Sequence, residues 1–427
     1  MRILPLVLCI GAVTLSACAP HATVPSTPRQ TPAPTTIPRA EADTAPLVSA
    51  HTAACPAAAA ANALGFDIFA QLRKQEPGKN VFISPYSIST CLAMTLGGAG
   101  GKTRSAMAKT LHLDGQRPTD IGAACSSLRH TLETADPAVR LETANSIWVT
   151  KQLKLKNDFQ VRCRDHFGAT VQALDINDPA APSMINAWVR DATHNKIDSI
   201  VDKLAPTDSL LLLNAVYFKG TWADEFDERS TNDAPFVPAT GGPKNVPMMH
   251  NDGTYSYFET ETFQAIRLPY DSERFDMFIF LPRRGVPLPR LASNLNARKW
   301  NQWFHQLDWA QGSIAFPRFK LAYEATLNDP LRALGMGVAF DPGLADFTGM
   351  ASGGLYISSV IHKTSIDVDE HGTEAAATTG IAYPACVAPS TDFKFQMIVD
   401  HPFLYAISDR QTGAILFLGA MEDPTQG

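Results

Sequence analysis

The chain has 427 residues, 45% of them hydrophobic and 18% charged, which is enough apolar material for a large core and too little charge for a disordered polyelectrolyte. Its formal net charge of -6 leaves no basic face for a phosphate backbone, so no nucleic-acid partner is expected. Length alone suggests two or more domains, yet no linker or internal repeat interrupts the chain after Asn62.

The first segment reads as an export signal. Arg2 precedes an apolar run over residues 3–15, and Leu15-Ser16-Ala17-Cys18 has the form of a bacterial lipobox. Residues 1–17 are therefore assigned to a lipoprotein signal peptide, and Cys18 to lipidation as the first mature residue. Several acyl chains on one cysteine would hold a lipid bilayer firmly. Ala19, where an aspartate would retain the protein at the inner membrane, points to the outer membrane of a Gram-negative bacterium. The alternative is an ordinary secreted protein cut nearby, periplasmic or extracellular. Residues 18–58 form a tether rich in Pro, Thr and Ala, with eight prolines between Ala19 and Ala58. At about 3.1 Å per residue it would reach up to roughly 120 Å from the lipid.

The remainder, residues 59–427, is expected to be one α+β domain. Helical spacing runs over 58–73, 88–111 and 183–195, and strands are expected over 210–218, 275–281 and 314–319. A hairpin is expected from 403–408 and 414–418 around Arg410-Gln411-Thr412-Gly413. Between them, Ile366-Asp367-Val368-Asp369 alternates apolar and acidic side chains as a strand with one buried face does. Gly372 follows as a flexible joint, and then Thr373-Glu374-Ala375-Ala376-Ala377-Thr378-Thr379 carries no bulky side chain. Read alone, Thr373 and Glu374 before three alanines favour a capped helix. Read as a strand, the segment puts Thr373, Ala375, Ala377 and Thr379 on one face, narrow enough to slide between two others.

Several ordered blocks decide between those readings. Asn80-Val81-Phe82-Ile83-Ser84-Pro85-Tyr86-Ser87-Ile88 is followed by Gly98-Ala99-Gly100-Gly101-Lys102-Thr103, then Asn214-Ala215-Val216-Tyr217-Phe218-Lys219-Gly220-Thr221-Trp222. Phe316-Pro317-Arg318-Phe319, Leu334-Gly335-Met336, Ala345-Asp346-Phe347-Thr348-Gly349 and His401-Pro402-Phe403-Leu404 come after in order. Over residues 62–424 the chain resembles a serpin. The resemblance implies a large central mixed sheet, further sheets, surrounding helices and an exposed reactive loop, with no catalytic residues, metal or cofactor. It makes Ser84, Ser87, Asn214 and His362 the polar cluster, or shutter, beneath the middle of the main sheet, and sets Trp222 at the top where the loop enters. By themselves these read as satisfied core polar groups, and the two readings agree, since a shutter is a structural hydrogen-bonded cluster.

The resemblance also implies a suicide inhibitor of a serine endopeptidase, expected to be a monomer. Glu370, Gly372, Thr373, Glu374, Ala375, Ala376 and Ala377 would be the hinge of its loop, with Thr373 in water at the mouth of the sheet in the intact protein. Counting along the usual loop length puts the reactive bond at Cys386-Val387, with Ala385 as an alternative and a free thiol as the bland reading of Cys386. No Arg or Lys lies between Gly372 and Ser390, so an elastase-like or subtilisin-like target fits better than a trypsin-like one. The alternatives are cross-class inhibition of a cysteine protease and a non-inhibitory binding or chaperone protein of the same fold.

Other signals are weaker. Gly101-Lys102-Thr103 resembles the end of a phosphate loop, but Leu96 occupies the position that needs the first glycine. Neither a Gly-x-Ser-x-Gly elbow nor a His-Glu-x-x-His pair occurs. Asp367, Asp369, Glu370 and His371 are read as a solvated face and not as metal ligands. Of seven cysteines, Cys55, Cys91, Cys125, Cys163 and Cys386 would remain after export and lipidation, an odd number.

Overall fold

The computed structural model describes residues 55–135, 139–271, 274–373 and 393–426. All of them belong to the compact unit Leu47–Gly427. Helices α1 (Pro56–Gln75), α2 (Pro85–Leu96) and α3 (Gly101–Thr110) come first, then α4 (Pro118–Glu133), α5 (Asn157–Phe167) and α6 (Ala181–Ala192). Proline at the start of α1, α2 and α4 suits positions whose amide would have no helical partner. The Ser84 hydroxyl caps α2 by accepting from the Ser87 amide at 3.2 Å.

The strands are β1 (Val81–Ile83), β2 (Arg140–Thr150), β3 (Thr170–Leu174), β4 (Leu210–Thr221), β5 (Asn232–Phe236), β6 (Lys244–Glu259), β7 (Phe263–Pro269) and β8 (Phe275–Pro282). They continue with β9 (Asp308–Pro317), β10 (Phe319–Thr326), β11 (Ile357–Asp369), β12 (Gly372–Thr373), β13 (Phe395–Ile398), β14 (Phe403–Asp409) and β15 (Ile415–Met421). One sheet runs β10-β11-β12-β4-β2-β3, the other β1-β15-β14-β8-β7-β6-β9-β13 with β5 on β6. The first is mixed: β11 is antiparallel to β10 and β2 to β4, while β11 is parallel to β4 and β2 to β3. This is the α+β architecture expected, and β14 and β15 form the expected antiparallel hairpin.

Two expected elements are divided. The helix over 88–111 is α2 and α3, separated by a glycine turn. A Cβ on Gly98 would lie 2.2 Å from Met350, and one on Gly100 2.4 Å from the Asp346 carboxylate, so the chain bends where only glycine lets the 345–349 segment approach. Helical periodicity on both sides conceals that break. The strand over 314–319 is the end of β9 and the start of β10, which diverge at Arg318 into different sheets. The third expected helix ends earlier, as His194 and Asn195 take left-handed backbone angles after α6.

The core lies between the sheets and beneath α1 and α2. β4, β8, β14 and β15 are apolar and buried almost throughout, as strands covered on both faces must be. β11 differs, since its inward residues Val360, His362, Thr364, Ile366 and Val368 are buried and the alternate ones half-buried.

Candidate functional site

β11 and β4 run side by side from Ile357 opposite Leu210 to Ser365 opposite Tyr217. Beyond that point they separate, and β12 lies between them. Thr373 pairs with Val368 on one side and Gly220 on the other, and Gly372 with Asp369 and Thr221. Gly372 and Thr373 are thus already strand. Thr373 is 0% exposed, and its hydroxyl lies 2.7 Å from the Tyr270 hydroxyl. This corrects the expectation that Thr373 stands in water in the intact protein: pairing of its backbone on both sides draws the side chain into the core. Gly372 is required for close approach more than for flexibility, since a Cβ there would lie 2.1 Å from the Gly220 carbonyl oxygen.

Glu370 and His371 make the turn from β11 into β12. Trp222 binds that turn from the end of β4, its amide donating to the His371 carbonyl at 2.9 Å and its indole N–H to the Asp369 carbonyl at 3.0 Å. Tyr270 stacks on the indole, with ring centroids 4.7 Å apart. The Phe226 amide donates to the Glu370 carbonyl at 2.9 Å. The reading of 367–371 as a solvated face needs correction at Glu370, whose carboxylate is buried, paired with Arg318 at 3.4 Å and accepting from the Thr231 hydroxyl at 2.7 Å. The alternation of β11 stops at Asp369, so period 2 no longer says which way Glu370 points. Asp369 accepts the His371 and Gly372 amides, and burial outweighs those bonds to push its carboxyl upward.

The polar cluster lies further down the β11–β4 seam. His362 stands directly opposite Asn214. The Ser84 amide donates to His362 Nε2 at 3.0 Å, and His362 Nδ1–H donates to Asn214 Oδ1. Asn214 Nδ2 donates to Asn145 Oδ1 at 2.6 Å and to Ser87 Oγ. One acceptor and one donor on the ring require neutral imidazole, and burial lowers its pKa to about 3. The cluster holds no nucleophile set against a base. It joins α2, β2, β4 and β11 across the seam between β11 and β4.

The structure therefore brings Ser84, Ser87, Asn214 and His362 into one network, and Trp222, Glu370, Gly372 and Thr373 into another at the end of the same seam. Glu374, Ala375, Ala376, Ala377, Cys386, Val387 and Cys18 lie outside the described residues. Cys91 and Cys163 are buried, which pushes their thiols up to about 12, and all four described cysteines are free. Sequence reasoning did not single out Asn145, Tyr270 or the role of Arg318. An asparagine in the apolar run of β2 is a usable sign of a buried polar partner, whereas nothing local marks Tyr270. The distant blocks at 98–103 and 345–349 meet, with the Asp346 amide donating to Thr103 Oγ1 at 2.9 Å and the Gly349 amide to the Gly98 carbonyl at 3.1 Å.

Comparison with known proteins agrees with this geometry. Residues 59–424 match the family model described as serpin (serine protease inhibitor). A serpin-like protein of Thermococcus kodakarensis is 35% identical over 381 residues, which cover 87% of each chain. Leukocyte elastase inhibitor of Homo sapiens is 33% identical over 375 residues, 84% of this chain and 97% of that one. The crystal structure of native protease nexin-1 with heparin superposes with a TM-score of 0.78 at 28% identity, covering 87% of this chain and all of the other. On the family match, these relatives and the shared fold, the chain belongs to the serpin family of protease inhibitors.

Proposed function

We propose that the protein is an irreversible suicide inhibitor of a serine endopeptidase with an elastase-like or subtilisin-like preference for small apolar residues. The target's serine Oγ attacks the Cys386 carbonyl carbon, an ester forms, the bond to Val387 breaks, and the target's base delivers the proton to the departing amine. The freed segment then enters the sheet before water reaches the ester. About 14 residues at about 3.3 Å each would carry the acylated protease some 45 Å.

The observation that carries this reading is the register of β12. If continued beyond Thr373 opposite Val368 and Gly220, that register would set Ala375 between Ile366 and Phe218, Ala377 between Thr364 and Val216, and Thr379 between His362 and Asn214. Those β11 and β4 residues are buried, so the small face of the hinge is the face that must turn inward. Entry as far as Thr379 would break the His362–Asn214 hydrogen bond, which gives the polar cluster its role as the catch on the seam. A large or charged inward residue would stall entry and turn the inhibitor into a substrate; none is present.

Incubation with a panel of serine and cysteine proteases tests the proposal. A covalent, SDS-resistant complex with an elastase-like or subtilisin-like enzyme is expected, and mass spectrometry of the released C-terminal peptide should begin at Val387. Complex formation with trypsin by the native protein, or no complex with any serine protease, would overturn it. We propose further that Cys18 carries the lipid that anchors the inhibitor at the outer membrane.

A further inference from the structure

The turn that starts the inserted strand is held by a histidine between two carboxylates. His371 Nδ1 lies 2.8 Å from Glu225 Oε2, and Nε2 lies 2.8 Å from Glu228 Oε1. Carboxylates only accept, so both ring nitrogens must carry a proton for both bonds to exist. Glu225 and Glu228 follow β4 in the segment whose Trp222 and Phe226 amides already hold the turn's carbonyls. Of the remaining charges around the ring, Asp369 also favours its protonated form, and none takes its hydrogen bonds. Asp369 accepts two backbone amides, Glu370 is paired with Arg318, and Asp227 with Arg229.

We infer that His371 is a proton-operated latch on the loop hinge, closed as imidazolium across Glu225 and Glu228 and opened when the ring loses a proton. The inference rests on the inhibitory reading above and adds its regulation by pH. With the latch closed, Gly372 and Thr373 stay paired between β11 and β4, and insertion of a cleaved loop starts from a formed nucleus. A neutral ring has one N–H for two carboxylates and turns a lone pair toward the other, so the turn loosens and the nucleus must re-form first. The fraction of molecules with the nucleus in place scales the rate of insertion against deacylation. The hydrogen bond to Glu225, aided by that to Glu228 and opposed by partial burial, raises the pKa of His371. The latch is therefore closed in mildly acidic medium and opens as the pH rises through that raised value. His362, pushed the other way, stays neutral across the same range.

Hydrogen exchange of the intact protein tests the latch without any protease. After correction for intrinsic rates, the Gly372 and Thr373 amides of wild type should be severalfold better protected at pH 6 than at pH 8. His371→Gln should show equal protection at both, at the wild-type pH 8 level, and Glu228→Gln should lose protection at lower pH than wild type. Equal protection of His371→Gln and wild type at pH 6 would overturn the latch. In a second arm, the number of inhibitor molecules consumed per protease trapped should rise with pH for wild type relative to His371→Gln, the protease's own pH dependence being common to both. A pH-dependent hinge in a protein that traps no protease at any pH would leave the latch standing and sink the inhibitory reading instead.

Discussion

His362 can satisfy both of its partners only as a neutral ring, because Nε2 accepts the Ser84 amide while Nδ1–H serves Asn214. Its pKa is depressed from 6.5 to about 3 by burial, so the folded state resists a proton that the unfolded chain takes up. The stability it contributes is fully present above about pH 6.5 and is lost as the pH falls toward 3, at about 1.4 kcal/mol per pH unit while one extra proton binds the unfolded chain. Urea unfolding of wild type and His362→Gln at pH 7 and pH 5 should show a steeper acid loss for wild type. Equal losses would mean that His362 is not held neutral. At the hinge, Tyr270→Phe removes the partner of a fully buried hydroxyl and should cost about 1 kcal/mol, with faster exchange at Thr373 as its local sign. Ser84 and Asn214 are legible because each stands in a recognisable block, and His362 through the family resemblance those blocks carry. Tyr270 and Asn145 are not, since their roles exist only where separate strands meet.

At the scale of the element, the two-residue strand β12 depends on the absence of a side chain at Gly372. Gly372→Ala would place a Cβ against the Gly220 carbonyl and should expel the pair from the seam, at roughly 1–3 kcal/mol, without unfolding the sheets. Hydrogen exchange confined to 366–373 checks this, and unchanged protection there would refute it. Because Thr373 is already buried, an arginine at that position would disturb the intact protein as well as insertion, so the cleaner probe is the next inward position. Ala375→Arg should still be cleaved near Cys386 but release active protease in place of a trapped complex, since the guanidinium would desolvate without a partner. An undiminished yield of complex would exclude inward entry of Ala375. The same dependence on close approach divided the expected helix over 88–111, where Gly98 and Gly100 admit Met350 and Asp346.

For the whole molecule, the seam between β11 and β4 in the open mixed sheet holds β12 at one end and the polar cluster further along. Filling it with a new strand would replace the single parallel β11–β4 ladder with two antiparallel ones, so cleavage of the loop should raise the melting temperature of wild type well above that of the intact protein. Differential scanning calorimetry before and after limited proteolysis decides this, and a cleaved form melting no higher would mean that insertion does not occur. Cys18→Ala should abolish lipid labelling and membrane fractionation, with persistent membrane association counting against the anchor. The sequence by itself determined the family, the α+β class and the hairpin at 403–408 and 414–418, because these follow from local periodicity and short ordered blocks. Only the tertiary structure decided that Thr373 is already within the sheet, that Glu370 is buried against Arg318, and that His371 bridges Glu225 and Glu228. Each of those depends on residues from separate parts of the chain meeting at one strand end, where pairing on both sides overrides the polarity and flexibility that local sequence suggests.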